Sequence, residues 1–209
     1  MTLDEAVTVV IRRLGNRVGI ESQVAEAIRL SQIEVEQGTD KPWFLLRERV
    51  PVQQVDNEPA RIELPEDFLS DWEDGLLEFL DEDKWWALEK KDFRSASAAQ
   101  ATLFPAPAFY SLLNSSILLF PEPEPGMTFR WSYWGHEPQL TDGNSTNNWL
   151  TFAPEILISM AGLKEAPYVE AEAKLAAFQA TLQTALQALK IQTQHRIESG
   201  QVRFMEYGQ

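Results

Sequence analysis

The chain has 209 residues, 44% of them hydrophobic, enough for one sizeable core or two smaller ones. With no cysteine it can form neither disulfides nor thiolate metal sites, and a formal charge of -14 works against any sequence-independent grip on phosphate. No apolar run reaches the length of a membrane span, and the acidic start Met1-Thr2-Leu3-Asp4-Glu5 does not read as a secretory signal; a soluble chain made in a reducing cytoplasm is expected.

Thr2-Leu3-Asp4-Glu5 spells a capping box, in which Thr2 caps a helix and Glu5, three residues on, reaches back. Leu3, Val7, Val10, Ile11 and Leu14 then share one face of a helix over 3–14, which Gly15 can close. Ser22 is placed to cap a second helix over 23–37, with Val24, Ile28 and Val35 apolar and Gly38 at its end. Two such helices are not stable alone, and their obvious partners lie at the other end of the chain.

Between the two ends the texture changes. Phe44 to Val55 is rich in β-branched and aromatic residues, Asp56-Asn57-Glu58-Pro59 is a turn cluster, and Arg61-Ile62-Glu63-Leu64 alternates as a half-buried strand does. Leu64-Pro65-Glu66-Asp67-Phe68-Leu69 reads as a strand running into a short helix. Leu76–Leu80 and Lys84–Leu88 flank Asp81-Glu82-Asp83 as a hairpin, and Lys91–Ala101 reads as a short helix with Asp92 near its start. Strands are predicted over Tyr110–Leu113 and Ile117–Phe120, turning at Asn114-Ser115-Ser116, and again over Met127–Tyr133; Thr141–Asn148 is a polar loop.

Pro154 suits the first turn of a helix over 153–166, and Pro167 should end it near Glu165. A longer helix over 168–198 follows from Tyr168, Ala171, Leu175, Phe178, Leu182, Ala185 and Leu189, whose spacing of three and four keeps a narrow stripe on one side. After Leu189 that face continues as Gln192 and Arg196, so the last two turns are expected to project beyond the body, ending at Gly200. Val202, Phe204, Met205 and Tyr207 then give a tail too short for a core of its own, which is either frayed or docked on another chain. The fold class is α+β: a helical bundle built from both chain ends (1–40 with 148–198), a central β-rich insertion (41–147), and a short tail (199–209). Leu3, Val7, Ile11, Ile28, Ile158, Leu175, Phe178 and Leu182 are expected inside the bundle.

Most chemical constellations are missing from the sequence. His136 and His195 lie far apart without metal-ligand spacing, and there is no glycine-rich phosphate loop and no nucleophile elbow, so neither metal nor cofactor is expected. Asp142 to Asn148 is oxygen-rich but lacks the glycine and closing glutamate of a calcium loop, and reads as a plain turn. From Asp56 to Asp92 there are 14 acidic residues against 4 basic ones. Carboxylates beside Trp72, Trp85 and Trp86 would suit a glycan hydrolase acting on a host cell wall, where sugars stack on aromatics and two carboxyls do acid/base work. Any acidic segment supplies such pairs, however, and a solvated acidic face over core tryptophans accounts for the same residues.

Several segments occur in an order and spacing that resembles the head-to-tail adaptors, or tail accessory factors, of short-tailed bacteriophages. They are Pro42-Trp43-Phe44-Leu45, then Leu64-Pro65-Glu66-Asp67-Phe68-Leu69, then Pro107 with Tyr110, Asn114, Ile117, Leu119, Pro121 and Pro123. Asn148-Trp149-Leu150, Pro154-Glu155-Ile156-Leu157-Ile158 and a long last helix before Gly200 complete the series, which spans nearly the whole chain. The resemblance differs at turns: Gly-Asn is usual where Asn114-Ser115 stands, and an acidic cluster where Asn147-Asn148 stands.

What the resemblance implies is a structural, non-enzymatic part of the virion, assembled in the host cytoplasm. Such adaptors form a ring, commonly of twelve subunits, beneath the portal of a DNA-filled capsid. Their C-terminal helices and tails hold the portal protein, and the opposite side receives the tail nozzle or tail-tube protein. Here the portal-binding residues would be Arg196, Val202, Arg203, Phe204, Met205 and Tyr207. An acidic surface suits the non-specific passage of DNA, since a negative wall repels phosphate. The same charge predicts that the purified chain is monomeric or weakly associated at low salt.

Overall fold

The computed structural model describes residues 1–99 and 106–198. Among these residues are six α-helices and nine strands in two sheets, so the protein is of the α+β class, with a long C-terminal helix. The chain forms two compact units, one joining Met1–Phe44 to the segment that starts at Glu137, the other being Leu45–His136.

The first unit is helical. Helix α1 (Leu3–Arg13) opens on the expected capping box, the Thr2 N–H donating to Glu5 Oε2 at 2.8 Å and the Glu5 N–H to Thr2 Oγ1 at 3.3 Å. Gly15, at φ 98°, closes it in a backbone region that a side chain would strain. Helix α2 (Glu21–Gln37) starts ahead of the expected cap Ser22; Ile20 stands at the cap without a side-chain bond, and Glu21 accepts the Gly19 N–H at 3.4 Å. Helix α4 (Asn148–Phe152) is capped by Asn147, whose Oδ1 accepts the Leu150 N–H at 3.1 Å. Pro154 opens helix α5 (Pro154–Glu165).

The last helix corrects an expectation. No helix starts at Tyr168, which is 79% exposed, because Glu170 takes a left-handed φ of 53°. A 3-10 turn over Glu172–Lys174 follows, and helix α6 runs from Leu175 to Glu198. Helix α5 packs against α1, α2 and α6, and its Ile156, Leu157, Ile158 and Ala161 have no exposed surface. Leu3, Val7, Ile28, Ile158 and Phe178 are buried as expected, whereas Ile11, Leu175 and Leu182 are only half-buried. Helices α5 and α6 touch closely at Gly162, where a Cβ would lie 2.3 Å from Phe178 Cε1.

The second unit is two antiparallel-rich sheets closing on one apolar core. Strands β1 (Leu46–Val52), β4 (Phe68–Asp81), β5 (Lys84–Ala87) and β9 (Phe129–Gly135) form one sheet in the order β1-β9-β4-β5. Strands β2 (Gln54–Val55), β3 (Glu58–Glu63), β6 (Glu89–Lys90), β7 (Phe109–Leu113) and β8 (Ser116–Phe120) form the other, in the order β2-β3-β8-β7-β6. Leu77 and Phe79 from β4, Phe129, Trp131 and Tyr133 from β9, and Ile62, Tyr110, Ile117 and Leu119 from the other sheet share that core. Alternation predicts this, since every second residue of these strands faces inward.

Both expected hairpins form. Asp81 pairs with Lys84 across Glu82-Asp83, both at positive φ, and Leu113 pairs with Ser116 across Asn114-Ser115. Helix α3 (Phe93–Ala99) begins where Asp92 Oδ1 accepts the Ser95 N–H at 3.0 Å. The short helix expected after Leu64-Pro65 does not form. Phe68 donates its N–H to Pro65 O at 2.9 Å in a turn and then starts β4, its ring stacked on Trp131 at 5.1 Å.

Candidate functional site

The C-terminal half of α6 and the connector that follows α2 make the best-defined site in the helical unit. The inward stripe of α6 runs through Phe178 and ends at Leu189, which is buried. Beyond Leu189 the last two turns do not project freely. Lys190 Nζ pairs with Asp40 at 3.4 Å, Thr193 Oγ1 accepts the Trp43 N–H at 3.4 Å, and the Arg196 guanidinium lies 3.6 Å from the Trp43 ring centroid. A guanidinium over an indole face is an attractive arrangement that salt screens less than an ion pair between exposed groups. The polar continuation of the α6 stripe therefore has a partner in Trp43.

Trp43 is itself wedged in place. Its ring meets Phe152 at 5.0 Å and Phe44 at 5.7 Å, and Phe44 stands perpendicular to Trp149 at 5.0 Å. Offset and edge-on geometries of this kind suit the quadrupole of aromatic rings. The Pro42-Trp43-Phe44-Leu45 and Asn148-Trp149-Leu150 motifs, far apart in sequence, thus meet in one aromatic cluster.

Beneath the cluster lies a buried polar network that sequence reasoning missed. Glu36 has no exposed surface, and its Oε1 accepts from Trp149 Nε1 at 2.8 Å, Gln32 Nε2 at 3.1 Å and the Glu137 N–H at 3.4 Å. Asn147 Nδ2 donates to Gln32 Oε1 at 3.0 Å, and Glu137 accepts from the Asn148 N–H and Nδ2, each at 3.0 Å. Lys41 closes the C-terminal end of α2 on the Glu36 and Gly38 carbonyls; burial lowers its pKa, and the nearby Glu36 charge opposes that. A signal for this network was present. Val24 and Ile28 define the core face of α2, and the next positions four residues apart on that face are Gln32 and Glu36.

Nothing in this cluster has the makings of a reaction centre: its carboxylates accept fixed N–H groups, and no nucleophile stands beside a base. What it can do is mechanical, holding the end of α6 in a set direction. Of the residues predicted to bind a portal, Arg196 is placed on Trp43, while Val202, Arg203, Phe204, Met205 and Tyr207 lie outside the described residues.

Among the described residues, the more buried carboxylates of the acidic stretch are held by cations and a phenol. Glu78 is held by Arg130 in a two-pronged pair at 2.6 and 2.9 Å, Asp71 pairs with Lys90, and Asp67 accepts from Tyr133 Oη at 2.7 Å and Arg47 Nε at 3.0 Å. Burial, with Asp67 beside it, pushes the Tyr133 phenol well above its ordinary pKa. Trp72 is in the core, Trp85 lies under Arg130 at 3.9 Å, and Trp86 is 52% exposed. A cleft of ≈ 490 Å³ between β1–β3 and Pro125–Phe129 contains one carboxylate among its lining residues, Asp56, and so lacks the pair that glycoside cleavage requires. The 142–148 loop is a turn stitched to the N-terminus: Asp142 Oδ1 accepts the Asn144 N–H at 2.9 Å, and the Leu3 N–H donates to Ser145 O at 3.0 Å. Among the described residues no cluster of His and carboxylate side chains could hold a metal ion, and no helix is long and apolar enough to cross a membrane.

No curated protein matches the sequence. The SU10 adaptor protein family, in contrast, matches over residues 1–204, nearly the entire chain and all of the site just described. That family consists of structural phage proteins rather than enzymes, which removes the glycan-hydrolase reading, and membership implies interaction with other head and tail proteins of a virion. The chain belongs to the SU10 adaptor protein family of bacteriophages.

Proposed function

We propose that the protein is the head-to-tail adaptor of a bacteriophage virion. Copies form a ring, of twelve subunits as in the adaptors it resembles, which binds the portal protein on one side and a tail nozzle or tail-tube protein on the other. The observation that carries this reading is the family match over residues 1–204. It is supported by two of the motifs behind the resemblance, Pro42-Trp43-Phe44-Leu45 and Asn148-Trp149-Leu150, which meet in the aromatic cluster under the end of α6. In this reading the helices from both chain ends (1–40 with 148–198) act as one bundle, the β-rich part (41–147) is a separate module, and residues 199–209 are the attachment arm. The charge of -14 suits a conduit whose wall DNA slides past, and assembly takes place in the host cytoplasm.

Portal attachment falls to Arg196, Val202, Arg203, Phe204, Met205 and Tyr207. From Lys190 to Gln209 the basic residues Lys190, Arg196 and Arg203 outnumber the acidic Glu198 and Glu206 in a chain otherwise strongly negative. That local reversal lets the segment approach a partner that the body repels, while Phe204 and Tyr207 provide the apolar anchors. Deleting residues 199–209 should leave the melting transition unchanged and abolish co-sedimentation with the portal; Phe204→Ala with Tyr207→Ala should do most of the same damage. A truncated protein that still co-sediments at wild-type strength would place the clamp elsewhere, and electron micrographs without rings on the portal would refute the adaptor reading itself.

A further inference from the structure

We infer that the outward faces of α2 and α6 are the two halves of one self-contact, in which the α6 face of one copy receives the α2 ridge of the next. The inference rests on the ring reading above and names the surface such a ring would use.

The two faces lie on helices that both pack against the buried α5. Helix α2 turns Val24, Ile28 and Gln32 inward and leaves Gln23, Glu26, Leu30, Ile33 and Gln37 on the opposite side, three and four residues apart. Leu30 is 48% and Ile33 36% exposed, a protruding apolar pair on an otherwise polar ridge. Helix α6 turns Phe178 and Leu189 inward and leaves Ala176, Ala180, Gln183, Gln187, Ile191 and Gln194 outward, also three and four apart. Ile191 is 45% exposed on that side. Matching spacings of this kind let the ridge of one helix seat in the groove of another.

Charge decides the partner. From Leu175 to Leu189 α6 carries no charged residue, although 24% of the chain is charged. The first cation after that run, Lys190, is paired with Asp40; on α2, Glu26 is paired with Arg29 at 3.4 Å and Glu34 with Lys164. Neither face therefore presents an uncompensated charge, in a molecule of formal charge -14 whose remaining surface repels its own copies. A nucleic acid would need cations there, and an oppositely charged protein would gain no attraction from a neutral face. A second copy of this chain needs what the faces offer, namely close approach without like charges.

The small Ala176 and Ala180 leave room for Leu30 and Ile33 of the neighbour. Because the donor and acceptor faces are different surfaces of the same unit, the contact is head-to-tail. Such a contact repeats from copy to copy and closes into a ring if the rotation allows, instead of stopping at a dimer.

The lack of native cysteine gives a clean test. Leu30→Cys and Gln183→Cys, the latter one turn from Ala180 on the outward face of α6, are made in separate full-length chains and treated with a short bis-maleimide, alone and mixed, at high salt and in the portal-bound assembly. High salt screens the repulsion that keeps copies apart at low salt. Cross-linked pairs are expected only in the mixture, and the chain carrying both cysteines should give a ladder of multimers. Ala180→Glu, at an exposed position, should abolish the cross-link while the melting transition stays in place. Equal cross-linking of either single variant with itself would overturn the head-to-tail contact. A ring visible in micrographs that yields no cross-link would overturn the assigned faces and leave the ring reading standing. A wild-type chain that stays monomeric in both conditions would sink both.

Discussion

The contact between Gly162 and Phe178 yields a prediction whose sign can be inverted at will. A methyl group at position 162 would sit 2.3, 2.5 and 2.6 Å from Cε1, Cζ and Cδ1 of the Phe178 ring, all well inside van der Waals contact. The ring cannot swing out cheaply, since Phe178 is only 3% exposed. Overpacking of this kind costs about 1–3 kcal/mol, while replacing a mid-helix glycine by alanine returns about 0.5–1 kcal/mol. Gly162→Ala should therefore destabilise the helical unit by about 1–2 kcal/mol, lowering its melting midpoint by about 2–4 °C per kcal/mol. In a Phe178→Ala background the obstacle is gone, and the same substitution should stabilise by about 0.5–1 kcal/mol. The assay is thermal and urea unfolding of the four corners of this cycle, followed by helical circular dichroism because two units need not melt together. A Gly162→Ala protein that melts at or above wild type, or a cycle with no coupling, would refute the argument.

Three further outcomes can be measured on the same instruments. Glu165 Oε2 is buried without a hydrogen bond and burial raises its pKa, so the folded chain holds this proton more tightly than the unfolded one. Its contribution to stability is present below the ordinary Glu range and lost as pH rises through the folded pKa; Glu165→Gln should melt above wild type at neutral pH, with the gap closing in acid, and a pH-independent gap would contradict this. Trp149→Phe removes the 2.8 Å donor to buried Glu36 and should cost about 1–3 kcal/mol in urea unfolding, whereas an unchanged midpoint would show the network to be slack. Leu182→Ala, at a half-buried position, should cost about 1–2 kcal/mol against about 3–5 for Phe178→Ala, and the reverse order would mean that the inward face of α6 is misassigned.

Where the signal was local, the sequence could be read directly. Thr2 with Glu5, Pro154 at a first turn, and the turns expected over Asp81-Glu82-Asp83 and Asn114-Ser115-Ser116, each of which tightens to two residues, all act through bonds to near neighbours. Where tertiary contact outbid local preference, it could not. Tyr168 fits the α6 stripe by spacing, but Glu170 breaks the helix between them. Phe68 belongs to a sheet because Trp131, distant in sequence, offers it a stacking surface. The site divides in the same way: Arg196 stood out as polar on an apolar stripe, but its partner Trp43 could not be named without the fold. Glu36 stood out as polar on the core face of α2, and only its meeting with Trp149 Nε1 explains it.

The pairing of Glu78 with Arg130 bears on how the β-rich unit finds its alignment during folding. The two residues sit directly opposite each other on β4 and β9, with side chains 9% and 12% exposed, and Arg130 also covers Trp85. A slip of one residue would set Arg130 opposite Leu77 or Phe79 and reverse the faces of the strand. Arg130 would then be turned toward the apolar core and Glu78 left without its partner on the covered outer face, at a cost of about 3–5 kcal/mol for a broken buried pair. The correctly aligned sheet is thus set apart from its nearest misaligned neighbour by electrostatics as well as by apolar packing. In a strand as long as β4, whose pairing is interrupted between Asp71 and Leu76, that rung acts as the tooth that stops the ratchet from skipping.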